Sequence, residues 1–106
     1  MELEVYWTQF AEDKLEDIFH YYSDKASFKI AKNLVFEIVD KTIDLGKNPK
    51  IGEKEDLLSE RTEEFRYLIH KNYKIVYWIN LHDNRIEIAN VFDCRQNPEK
   101  MKEFKS

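Results

Sequence analysis

Between residues 64 and 98 the chain reads EFRYLIHKNYKIVYWINLHDNRIEIANVFDCRQNP. Three runs rich in Ile, Val, Tyr, Phe and Trp are cut by two short polar turns, His70-Lys71-Asn72 and His82-Asp83-Asn84-Arg85. β-Branched and aromatic side chains suit a pleated surface, and short polar breaks turn the chain back on itself. The segment therefore predicts a three-stranded antiparallel meander, with strands over 64–70, 73–81 and 85–93. On the middle strand, the period of two sets Tyr73, Ile75, Tyr77 and Ile79 on one face and Lys74, Val76 and Trp78 on the other. Both sets hold large apolar groups, so both faces need cover.

The cover for one face lies upstream. Residues 3–7 alternate apolar and polar and read as a first strand ending at Trp7. Thr8 is an N-cap candidate, with Glu12 and Asp13 suiting the early turns of a helix over 9–22. Ala11, Leu15, Ile18 and Tyr22 share one face of it. Ser27 caps a second helix over 28–45 with a stripe of Ala31, Leu34, Val35, Ile38, Thr42 and Leu45. Gly46 is expected at C′ and Pro49 as a stop. Residues 46–63 form a long loop that Leu57 and Leu58 pin to the core. Pro98 opens a short C-terminal helix that reaches Phe104. The order is β-α-α-β-β-β: an α+β domain, with a helical hairpin packed on a mainly antiparallel four-stranded sheet and a short terminal helix. In this reading the face carrying Lys74 and Trp78 has no intrachain cover, and an apolar face rimmed by charge marks a partner site.

Length and composition narrow the classes. At 106 residues there is room for one core, over 1–106. Two Gly and two Pro exclude low complexity. No apolar run is long enough to span a bilayer, and the acidic start MELEVYW lacks a signal-peptide pattern, so the expected compartment is the cytoplasm. Cys94 stands alone and is expected to be a buried or half-buried structural thiol; no metal site and no cofactor are expected. The net charge of −4 argues against a dedicated nucleic-acid binder. Its distribution is uneven. Residues 1–60 hold 8 Lys/Arg against 14 Asp/Glu, whereas 61–106 hold 9 against 7. The positive field sits on the meander.

Arg66, Lys74 and Arg95 are the cations a meander brings together to hold a phosphate by charge-assisted hydrogen bonds. Arg66 and Lys74 each have an equally ready structural role, Arg66 paired to Asp93 or a helix carboxylate and Lys74 as a solvated strand charge; Arg95 has less of one. Metal-free RNA cleavage needs a base and an acid, and His70 is the histidine nearest that set. His20 and His82 have no spacing that joins them to it. Among the aromatics, core packing is the commoner role, and Trp78 and Tyr73 are the two kept as contact residues.

Read in order, these pieces resemble the small toxins of the RelE/ParE superfamily, the toxic halves of bacterial type II toxin–antitoxin pairs. The resemblance rests on the strand ending in Trp7-Thr8, the helix with Ala11, Leu15 and Ile18, and Pro49 with Gly52. It continues through Arg66 with Leu68, Tyr73-Lys74-Ile75-Val76-Tyr77, and Val91-Phe92-Asp93-Cys94-Arg95-Gln96-Asn97-Pro98. It implies a cognate antitoxin, a toxin–antitoxin hetero-oligomer, and one of two activities. A RelE-like toxin cuts mRNA on the ribosome; here Arg66 and Arg95 would hold the phosphate and Lys74 or His70 would move the proton. A ParE-like toxin inhibits DNA gyrase by binding; here Arg95, Gln96, Asn97, Met101 and Phe104 would join Trp78 and Tyr73 in recognition. Lys74 stands where the nucleases often carry Arg, and Gln96-Asn97-Pro98 replaces their terminal acid. Those departures favour the binding mode. A third reading, from another class, is a small α+β binding module unrelated to toxicity.

Overall fold

The computed structural model describes residues 2–104. Strand β1 (Glu4–Trp7) leads into α1 (Gln9–Lys25) and α2 (Phe28–Lys41), then β2 (Glu53–Lys54), β3 (Arg66–His70), β4 (Tyr73–Asn80) and β5 (Arg85–Asp93). Among the described residues, three 3-10 turns, Ile43–Gly46, Asp56–Leu58 and Pro98–Glu103, complete the element order. The sheet order is β1-β5-β4-β3-β2, with β1 parallel to β5 and every other pair antiparallel. No helix among the described residues is long and apolar enough to cross a membrane.

Local chemistry sets the helix starts. Thr8 accepts a hydrogen bond from the Ala11 amide at 3.2 Å, and its own hydroxyl donates to Ile88 O at 2.9 Å, so one residue caps α1 and ties it to β5. Ser27 caps α2 through the Ile30 amide at 3.1 Å. The end of α2 departs from expectation: the α-helix stops at Lys41, and residues 43–46 tighten into a 3-10 turn. Gly46 has no positive φ. Its need is proximity, because a Cβ there would stand 2.2 Å from Leu3 O. The Leu3 amide donates to Gly46 O at 3.0 Å, which seats β1 beside the end of the hairpin.

The sheet has five strands rather than four. The additional one is the two-residue β2, inside the long loop, with Glu53 opposite Tyr67 and Lys54 opposite Arg66. A bulge lies on β5: Asn90 pairs with Val76 but Ile88 with Tyr77, leaving Ala89 extra. The alternation therefore changes phase. Ile86, Ile88 and Val91 join Tyr73, Ile75 and Tyr77 under the helices, while Ala89 and Phe92 turn to the other face.

That other face is covered, contrary to the sequence expectation. Leu58, Phe65, Val76, Ala89, Phe92, Met101 and Phe104 form a second core, with Phe10, Leu57 and Trp78 against it. Met101 is 1% and Phe104 2% exposed. The loop after β2 and the C-terminal turn supply the missing layer. Short apolar runs without regular period, such as Leu57-Leu58 and Met101 with Phe104, carry no directional signal, so a sequence reading assigns them no face.

Candidate functional site

The four residues that fit a nuclease do not share a surface. Register sets Arg66 opposite Tyr77 and His70 opposite Tyr73, on the face toward the helices, and Lys74 opposite Ile69 on the other. Arg66 Nη1 donates to the carbonyls of Gly52 at 2.8 Å and Lys50 at 3.3 Å, and Nη2 to Glu64 at 3.1 Å. It clamps the loop onto β3. His70 Nε2 lies 2.9 Å from Glu37, tying β3 to α2; that bond, helped by Lys71, holds the Glu37 carboxyl below the usual range. Lys74 Nζ stands 2.7 Å from Glu55 and 4.2 Å from the Tyr67 ring centroid. Tyr67 in turn donates to Glu53 at 2.8 Å, which lifts its hydroxyl above the ordinary tyrosine value. His20 and His82 sit beside Glu16 and Asp83, so the histidines do not converge.

Arg95 is placed differently. Its guanidinium forks onto Asp93, with Nη2 2.8 Å from Oδ2 and Nε 3.0 Å from Oδ1, yet its side chain remains 60% exposed. Asp93 also accepts from the Arg95 amide at 2.9 Å and from Asn72 at 3.1 Å. The Arg95 guanidinium first, then these donors, hold the Asp93 carboxyl down at about 2. The same pairing raises Arg95 above its already high value.

Beside this pair a cleft of about 360 Å³ opens between α1 and the end of β5. Lys14, Asp17 and Tyr21 line it from the helix, with Asp93, Arg95 and Gln96 opposite. Tyr73 forms its floor rather than its rim: it is buried, 3.5 Å from the Tyr22 hydroxyl, and burial raises its pKa. Trp78 is half-buried against the second core, and Met101 and Phe104 lie inside it. These three are core-packing groups here, so the expectation that Met101 and Phe104 dock a partner is corrected. Asn97 is exposed and caps the C-terminal turn by accepting from the Glu99 amide at 3.1 Å. Cys94 is exposed, against the expectation of burial, and partial desolvation raises its thiol pKa.

A family model described as "ParE toxin of type II toxin-antitoxin system, parDE" matches residues 5–98. The chain belongs to the ParE toxin family. Among solved structures that share its fold is "Chromosomal ParDE TA system from P. aeruginosa", at TM-score 0.72 and 19% identity, covering 87% of this chain and 96% of that one. No curated protein matches the chain. The family match sets aside an α+β module unrelated to toxicity and places the chain in the RelE/ParE superfamily.

Within this ParE toxin, sequence reasoning missed the acid partners Glu55 and Glu37, which engage Lys74 and His70 from the loop and from α2. It also missed the helix side of the cleft. A signal existed there: Lys14, Asp17 and Tyr21, at steps of three and four, form one polar stripe of α1.

Proposed function

We propose that this ParE toxin halts bacterial growth by binding a target, DNA gyrase first, and that a cognate antitoxin neutralises it in a cytoplasmic hetero-oligomer. One observation carries the reading. The cations that would serve RNA cleavage are divided between two sheet faces, and the Arg66 Nη atoms and Lys74 Nζ are engaged by carbonyls and carboxylates. Arg95 and Gln96 instead stay exposed beside the cleft. An exposed Arg on a rigid pedestal is a common anchor in protein recognition. The recognition set is Arg95, Gln96 and Asn97, with Lys14 and Tyr21 added from the helix.

The test is a gyrase supercoiling assay beside a translation assay, with wild type and Arg95→Ala. Wild type should inhibit supercoiling and leave transcripts uncut. Arg95→Ala should keep its fold and lose about tenfold or more in inhibition, as for truncation of an arginine anchor. Full gyrase activity at saturating toxin, with translation blocked and mRNA cleaved, would overturn the reading in favour of a RelE-like endonuclease.

A further inference from the structure

The outer side of α2 and the turn that follows it carry aromatic and aliphatic groups that remain largely exposed among the described residues. Phe36 is 69% exposed, Phe28 63% and Ile43 61%. Next to Phe36 lies a shallow groove of about 440 Å³ between the two helices, lined also by Phe19, Lys32, Val35 and Val39. Exposed apolar groups of this size, set along one helix and the turn after it, mark an interaction surface.

The charges around the stripe define its occupant. Lys32 lies four residues before Phe36 and Asp40 four residues after, so all three share one side of the helix. Neither Lys32 nor Asp40 takes part in an ion pair among the described residues. An antiparallel copy of the same helix, crossing at Phe36, sets position 32 against 40 of its partner, and 40 against 32. A two-fold axis through Phe36 therefore repeats the ion pair on both sides of an aromatic centre, the self-complementary condition of an isologous contact.

We propose that this face of α2 is a homodimer interface, centred on Phe36 and flanked by two symmetric Lys32–Asp40 pairs. It lies on the helical layer, away from the sheet bulge and the second core, and uses none of the cleft residues Arg95, Gln96 or Lys14. Target recognition and self-association thus occupy separate surfaces.

Sedimentation equilibrium on the purified full chain tests this. Wild type should be dimeric at concentrations on the order of 100 µM, within the range of a modest interface. Lys32→Glu alone and Asp40→Lys alone each set like charges opposite one another twice, and should weaken the dimer about tenfold or more. The double variant Lys32→Glu/Asp40→Lys should restore it, with an unchanged circular dichroism spectrum in all three. Phe36→Asp should be monomeric. A monomeric wild type overturns the proposal, as does a dimer indifferent to the charge reversals or one that the double variant fails to restore. A monomeric wild type whose antitoxin binding is lost in Phe36→Asp would give the face to the antitoxin instead.

Discussion

Lys74 Nζ is 2.7 Å from Glu55 Oε2, and the Glu55 side chain is 3% exposed. This contact joins the middle of the sheet to the loop that roofs its second core. The second Glu55 oxygen accepts from the Leu57 amide at 3.2 Å, so the carboxylate also starts the turn that delivers Leu58. A residue that reads as a nuclease cation is therefore a fastener.

Breaking that pair from one side should be costly. Lys74→Met leaves a buried carboxylate without its counter-charge, and an uncompensated buried charge costs about 3–5 kcal/mol. Lys74→Met with Glu55→Leu removes both charges and should recover most of the loss. Urea midpoints of the three chains measure this. Growth arrest should survive in the double variant once protein levels are matched; a nuclease dependent on Lys74 would lose it.

Gly52 tests the clamp on the same loop. Its amide donates to the Tyr77 hydroxyl at 2.9 Å, and that hydroxyl donates to Pro49 O at 2.8 Å. A Cβ at position 52 would meet the Tyr77 hydroxyl at 2.6 Å and Tyr67 O at 2.7 Å. Gly52→Ala should destabilise by about 1–3 kcal/mol, the usual range for overpacking. Tyr77→Phe should cost about 1–3 kcal/mol, because the Gly52 amide is left buried without an acceptor. A thermal melt in which either variant matches wild type would remove the clamp from the account of stability.

The meander, the hairpin and their order were legible because each has a strong local code. Alternation marks Tyr73 to Ile79, and steps of three and four mark Ala11 to Tyr22. What failed were the features set by contacts distant in sequence. Glu55 and Lys74 are separated by a loop with no period. The Ala89 bulge has no mark in IEIANVF, since the positions around it, Ile88, Ala89, Asn90 and Val91, are apolar or uncharged and can face either way. The expectation that Arg66, Lys74 and Arg95 meet failed on parity. Arg66 pairs across from Tyr77, and Lys74 is an odd number of residues from Tyr77, so the two cations project to opposite sides. The exposure of Arg95 and Gln96 did follow from their place beyond the last strand.

The C-terminal turn should behave as core. Phe104 contacts the rings of Phe65 and Phe10 at centroid separations of 5.4 and 6.0 Å, and the Arg61 guanidinium stacks on it at 4.4 Å. Phe104→Ala should cost about 3–5 kcal/mol, as for other buried Phe truncations. A chain ending at Gln96 loses Met101 as well and should bind the exposed-core dye ANS. Loss of toxicity in such a chain would then report unfolding rather than a missing docking helix, and an ANS-silent, fully stable truncation would contradict the second core.

Acid titration should read the Asp93 site directly. Asp93 has a folded pKa of about 2 against an ordinary value of 3.8, a lowered value caused first by Arg95. A lowered carboxylate pKa contributes stability that is complete above the unfolded value and is lost as pH falls through the folded one. The relevant window is therefore pH 4 down to 2. After discounting for the partly solvated Arg95 side of the pair, the contribution at pH 7 is about 1–2 kcal/mol. Asp93→Asn should fall below wild type by that amount at neutral pH, and the gap should close progressively between pH 4 and pH 2. Arg95→Ala should show a smaller gap with the same pH course, because Asn72 and the backbone amide still favour the charged form. A gap that stays constant from pH 7 to pH 2 would mean that the side-chain charge of Asp93 contributes nothing, and that Arg95 is held at the cleft by packing alone.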